Sequence, residues 1–367
     1  MKLMDKTHHK RIIPQLGRVG KIFGKVRIPA LILGILVVVP CFLGQSRADF
    51  LYGMGNPDPG VQYGADTELI NSEFGESQAI VLLVPRGDPG AEAELAEEIA
   101  EIDHVTSVMS YAGTVGKIPS GFLSEDIVSQ FYSDNYARII IYTDTGEEGD
   151  DAFAVVTAVR EAAAARYDEY WACGQSANLL DMKEVVTDDS VIVNLVAIAF
   201  IFLTLLVTFR SLTLPFILLF VIESAIWINL SVPYFTDTPL VYLGYLVINT
   251  VQLGATIDYA ILMTEGYVVN RRTMTKRAAV EGTLSKNFIS VLTSGLILSA
   301  AGFCLGFESS LEVVAELGIL LCRGTLLSMA MVLLALPALL MMFDPLTAKL
   351  TLKAGFLKKS DKEVETK

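Results

Sequence analysis

The stretch Leu253-Gly254-Ala255-Thr256-Ile257-Asp258-Tyr259-Ala260-Ile261-Leu262 places one carboxylate inside an apolar run from Leu240 to Gly266. The run is long enough to cross a bilayer. Inserting an acid there costs about 2.5–3.5 kcal/mol, and such groups usually serve ion or proton pathways. Gly254 lies one helical turn before Asp258, on the same face. A glycine there admits a second helix at close range, which would shield the acid from lipid. Tyr259 adds a hydroxyl beside it. Desolvation disfavours the charged form of an acid, so this carboxylate is suited to loading and releasing a proton. The alternative is an acid held by a static hydrogen bond.

Working outward, the 367 residues are 52% hydrophobic, and the apolar residues gather in long runs. With a mean hydropathy of +0.50, this is the pattern of an α-helical membrane protein. Charge is unevenly spread. Residues 46–190 hold 28 acids and 7 bases, and residues 1–27 hold 8 bases and one acid. The loop from Tyr267 to Asn287 carries five bases and one acid, and the tail after Asp344 carries six bases. The positive-inside rule then puts both termini and that loop in the cytoplasm, and the acidic segment outside the cytoplasmic membrane. So acidic an external segment argues against nucleic acid as its partner.

Along the chain, residues 1–27 read as a basic cytoplasmic tail. Ile28–Gly44 is an apolar run of 17 residues. It is either a first span (28–45) or a signal peptide with Ser46-Arg47-Ala48 as a poor cleavage site. The long basic lead and the arginine favour a retained anchor. Residues 46–190 read as one external domain of 145 residues. Strands are expected at 79–84, 105–111 and 137–142, with a short fourth at 170–173, and helices at 89–102 and 151–167. That order suggests a split βαβ, ferredoxin-like α+β domain between spans 1 and 2. Five further spans follow at about 191–209, 214–231, 240–266, 288–307 and 315–343, with a short surface helix at 273–287 and a kink at Pro337. A second cytoplasmic tail, 344–367, ends the chain.

Gly295, Ser299, Gly302 and Gly306 follow one another at steps of four, three and four, a small-residue face for helix packing. Glu223 and Arg323 are further charges inside the spans. They are either relay members and charge partners of Asp258, or a static salt bridge with each other. Cys41, Cys304 and Cys322 lie in apolar runs and Cys173 alone is external, so the external domain has no internal disulfide. His8, His9 and His104 make no metal-ligand spacing. Phosphate-binding and dinucleotide fingerprints are absent from the sequence, as is any catalytic constellation. Neither an enzyme nor a cofactor is expected.

One span, an external ferredoxin-like domain and five spans in quick succession, with Phe209-Arg210-Ser211 and Gly254-Ala255-Thr256-Ile257-Asp258-Tyr259, resemble the MMPL branch of the resistance-nodulation-division (RND) superfamily. The resemblance runs from about Ile28 to Phe343. It implies a proton-driven exporter of lipids or other hydrophobic molecules, with Asp258 and Tyr259 as the relay. It also implies polar partners near the relay on the fifth span, here Ser290 and Ser294. Family members usually carry two such halves, and the basic lead here resembles the start of a second one. The expected partners are therefore membrane lipids, a hydrophobic or lipid substrate and a second half, either separately encoded or a second copy. The alternative is a non-transporting membrane subunit of the same fold, a lipid sensor or protein-translocation accessory.

Overall fold

The computed structural model describes residues 34, 36–53, 59–116, 122–352 and 354–357. Among them, five helices are long and apolar enough to cross a membrane, with a shorter apolar helix at Leu36–Gln45 (α1). Much of the expected first span, residues 28–33 and 35, lies outside the described residues.

The acidic segment folds around a four-stranded sheet. Its strands are β2 (Gln78–Pro85), β3 (Val105–Met109), β4 (Tyr136–Thr143) and β5 (Trp171–Gly174), in the order β3-β4-β2-β5. All three neighbouring pairs are antiparallel. Alternation drives the sheet: Ile80, Leu82 and Val84 on β2, and Ala137, Ile139 and Ile141 on β4, point to one buried face. Helices α3 (Pro89–Ala100) and α6 (Asp150–Ala164) cover that face with Leu95, Ile99, Val156 and Val159. Helix α3 starts where it does because the Asp88 side chain accepts from the amides of Gly90 and Ala91, with Pro89 at the first position. Helix α2 (Gln62–Phe74) has no counterpart in the sequence reading, because it buries little besides Gly64 and so shows no apolar stripe. Two short helices, α4 (Tyr111–Val115) and α5 (Glu125–Val128), lie between β3 and β4.

Helix α7 (Gln175–Phe209) leaves β5 directly and runs 35 residues. The expected boundary at Ser190 is therefore not a break. No glycine or proline interrupts residues 175–209, so the helix continues from the sheet into the apolar run. Gly174 makes the corner, where a Cβ would stand 2.5 Å from the Ala79 carbonyl oxygen. Next come α8 (Thr213–Thr236), α9 (Tyr242–Arg271), α10 (Lys276–Glu308) and α11 (Glu312–Met342). Helix α10 merges the expected surface helix and fifth span into one element. Its start is set by Thr275, whose hydroxyl accepts from the Ala278 amide at 3.4 Å. Helix α11 is continuous through Pro337.

The core of the helical layer joins α8, α9, α10 and α11. The α10–α11 contact is close: a Cβ on Gly302 would stand 2.7 Å from the Cys322 amide nitrogen, and one on Gly306 2.8 Å from Ile319 Cγ1. The small-residue face of α10 is thus covered within the chain, against Gly318 and its neighbours.

Two joints close the ends. At the sheet end, β1 (Phe50–Leu51) pairs in parallel with β6 (Leu240–Val241), just before α9. Phe50 meets Tyr242 and Tyr245 edge-on there, Tyr52 stacks on Tyr242, and Glu148 accepts from the Tyr52 amide at 2.6 Å. At the opposite end, the chain after α11 returns through α12 (Asp344–Leu350). The Leu352 amide donates to the Arg210 carbonyl at 2.9 Å and the Thr351 hydroxyl to Ser211 Oγ at 2.7 Å. Arg271 grips Asp344 with two N–H groups, at 2.8 and 3.0 Å, while the Tyr267 hydroxyl donates to the same carboxylate at 2.6 Å.

Candidate functional site

Helix α9 presents two faces of different character. Gln252, Thr256, Tyr259, Met263 and Tyr267 are buried against α8, α10 and α11. Val251, Gly254, Asp258, Leu262 and Glu265 are exposed. Their spacing of three and four residues makes one outer stripe. Asp258 and Tyr259, adjacent in sequence, therefore diverge by about 100° around the axis. The carboxylate faces outward, while the phenol is 8% exposed. No hydrogen bond joins the two side chains among the described residues. A Cβ built on Gly254 meets nothing within 4 Å, so this glycine leaves open a place for something outside the chain.

Helix α10 supplies the edge of this stripe. Asn287 Nδ2 donates to the Leu262 carbonyl at 3.1 Å, and a Cβ on Gly266 would stand 2.8 Å from Thr283 Cγ2. The two helices run antiparallel from their short connection. Ser290, one turn beyond Asn287, comes level with Asp258, one turn before Leu262. Ser294 comes level with Gly254. Both serines are exposed. By contrast Gly295, Ser299 and Gly302 are buried, on the face turned to α11.

The inner face of α9 carries a polar network with no counterpart in the sequence reading. Asn229 Nδ2 on α8 donates to Gln252 Oε1 and to the Leu320 carbonyl, both at 3.0 Å. Gln252 Nε2 donates to the Gly324 carbonyl and to Ser328 Oγ, both at 3.1 Å. Arg323 donates through Nε to Asn229 Oδ1 at 2.7 Å and through Nη2 to the Asn229 carbonyl at 2.9 Å. Gly324 is required here: a Cβ on it would stand 2.6 Å from Asn229 Nδ2. A glutamine and an asparagine in apolar spans were the available signal.

The salt bridge between Glu223 and Arg323 is not formed, because Arg323 is engaged by Asn229. Glu223 lies buried on α8, and its Oε1 has no hydrogen-bond partner among the described residues. The described residues hold no cluster of three or more His, Cys, Asp or Glu fit for a metal ion.

The sequence that builds this arrangement matches a known family model. The model of the MMPL family covers residues 59–356, taking in the sheet, the five long helices and the returning tail. The chain belongs to the MMPL family. The probable transport protein MmpL4 of Mycobacterium leprae is 27% identical over 281 residues. That match covers 72% of this chain, which spans only 28% of the relative's length. As an MMPL member with five long apolar helices, the chain is a multi-pass membrane protein.

Proposed function

We propose that this chain is one half of a transporter driven by the proton gradient, exporting lipids or other hydrophobic molecules across the cytoplasmic membrane. The observation that carries the reading is the outer stripe of α9. A carboxylate in the middle of a span faces away from its own chain, beside a glycine that no residue covers. Such an acid is costly against lipid and useful against a second helix or a water-filled path. Asp258 carries the proton, Tyr259 backs it from the inner face, and Ser290 and Ser294 offer hydroxyls at its level. Glu223 is a second buried carboxylate for the same path.

On this reading the chain has six spans, with α1 belonging to the first, and both termini are cytoplasmic. The sheet with α3 and α6 is a ferredoxin-like external domain. Protonation removes the charge from the stripe and alters which helix packing is favourable. Helix α9 is well placed to pass such a change on. Its first residue, Tyr242, donates to the Val186 carbonyl at 3.1 Å and stacks on Tyr52, whose amide is held by Glu148 of the external domain.

The test is transport by reconstituted protein under an imposed pH gradient. Asp258→Asn keeps the shape and removes the titrating charge, so flux should be lost while the protein remains folded and inserted. Tyr259→Phe should reduce flux less. Wild-type flux from Asp258→Asn would end the relay reading.

A further inference from the structure

At the end of the helical layer opposite the sheet, a groove of about 540 Å³ opens between α7, α9 and the returning tail. Its walls include Ile261 and Val268 of α9 and Leu352 of the tail, and its charged groups among the described residues are Arg210, Arg272 and Glu265. The two arginines are the C-terminal caps of α7 and α9. They therefore stand where apolar helices end, at the depth of lipid headgroups. Glu265 lies two turns back along α9, about 10 Å nearer the membrane centre. All three side chains are exposed, and none makes a hydrogen bond or ion pair among the described residues. The size suits a headgroup with the first part of an acyl chain.

We propose that this groove holds a resident anionic phospholipid carrying a single phosphodiester charge. Its phosphate lies between Arg210 and Arg272, and an acyl chain follows Ile261 and Val268 along α9. Three features support this occupant. Basic pockets between spans at a membrane surface commonly take anionic headgroups. Guanidinium groups match phosphate oxygens in pairs. Among the described residues the side-chain charges sum to one positive, complementary to one phosphodiester. Glu265 then acts as a charge filter, opposing a second negative charge on the lipid. The site requires that the chain spans a membrane, but not that it moves protons.

Native mass spectrometry of the full chain, gently solubilised, stripped of lipid and offered equal phosphatidylglycerol and phosphatidylcholine, tests it. Wild type should retain phosphatidylglycerol preferentially. Arg272→Gln should reduce that preference about fivefold, the usual worth of one arginine near an anionic surface. Arg210→Asn should do the same while tolerating the left-handed backbone at φ 48°. Glu265→Gln should raise retention of phosphatidic acid, whose headgroup can carry a second charge. Three results would each overturn the proposal. One is no preference in the wild type, which leaves the groove to a second protein half. Another is an unchanged preference in both arginine variants, the sign of a general lipid shell. The third is displacement of the lipid by glycerophosphate alone, the mark of a soluble phosphate ligand.

Discussion

Arg323 and Asn229, 94 positions apart, are joined by two hydrogen bonds across α11 and α8, at 2.7 and 2.9 Å. A half-buried guanidinium within a long apolar helix is thus paired with a neutral amide and a carbonyl, not with the buried carboxylate of Glu223. The two partners therefore separate under mutation. Asn229→Ala removes the side-chain acceptor and should destabilise the protein by about 1.5–3 kcal/mol, the range for a hydrogen bond to a charged group. Glu223→Gln strands no cation and should leave the midpoint of thermal unfolding in detergent unchanged or slightly raised. A large loss from Glu223→Gln, with none from Asn229→Ala, would restore the salt-bridge reading.

A pH dependence is built into the domain around the four-stranded sheet. Glu92 of α3 is 4% exposed and accepts from the Tyr132 hydroxyl at 2.6 Å, while its other oxygen has no partner among the described residues. Burial raises its pKa above the usual carboxylate value, although the Tyr132 hydrogen bond opposes the shift. Between the unfolded pKa and the raised folded one, the folded state holds more protons than the unfolded. Stability is therefore full below the unfolded pKa and declines as pH rises through the folded value. Trp171 and Trp227 are the two tryptophans. With Trp227 replaced by Phe, the fluorescence of Trp171 reports unfolding of the sheet. Its midpoint should fall as pH rises through this window, and Glu92→Gln should flatten that fall. An equally steep fall in the Gln variant would place its origin elsewhere.

Membrane orientation is open to thiol labelling. Cys173 on β5 is exposed, and a membrane-impermeant reagent should reach it from outside intact cells once Cys41, Cys304 and Cys322 are replaced. Arg271 is a poor reporter for the opposite side, being 6% exposed and held by Asp344. Met274, 40% exposed in the α9–α10 connection, is the better position. Met274→Cys should label only after permeabilisation. Labelling of both sites in intact cells would refute the proposed topology.

The sheet and spans are legible because their signals are local. The continuous apolar run from Ala79 to Val84, stopped by Pro85, gives β2, and long apolar runs give α8 and α11. Asp258 stands out as an acid well inside such a run. What escapes is whatever depends on distant partners or on the direction a helix face turns. Arg271 reads as a free surface charge until Asp344, 73 positions on, returns to pair with it. Gln252 and Asn229 read as isolated polar residues until three helices bring them together. Period alone gives the shared face of Gly254 and Asp258, but not that this face turns outward. The small-residue face of α10 reads equally well as an interface with another protein, yet it packs on Gly318 of α11.

Two glycines on neighbouring helices should therefore respond oppositely to the same change. Gly302 has no room: an added Cβ meets the Cys322 amide nitrogen at 2.7 Å and the Gly318 carbonyl oxygen at 2.8 Å, both backbone atoms. Gly302→Ala must push α10 from α11 and should destabilise the chain by about 1–3 kcal/mol, the usual scale for overpacking. Gly254 has open space. In the isolated chain, Gly254→Ala should be neutral or stabilising by up to about 1 kcal/mol, from helix propensity. If a second half seats against the outer stripe of α9, Gly254 is where its helix comes nearest, and a larger side chain blocks that approach. Gly254→Leu should then leave the thermal midpoint of the single chain intact while weakening assembly. Two measurements separate these effects. Gentle solubilisation followed by mass determination reports whether one half or two are present. Cysteine cross-linking from position 254 reports whether the partner lies on this stripe. The partner is either a second copy, giving a two-fold pair of facing α9 helices, or a separately encoded half. A single chain that shows no cross-link and still transports when reconstituted alone would rule the two-half arrangement out.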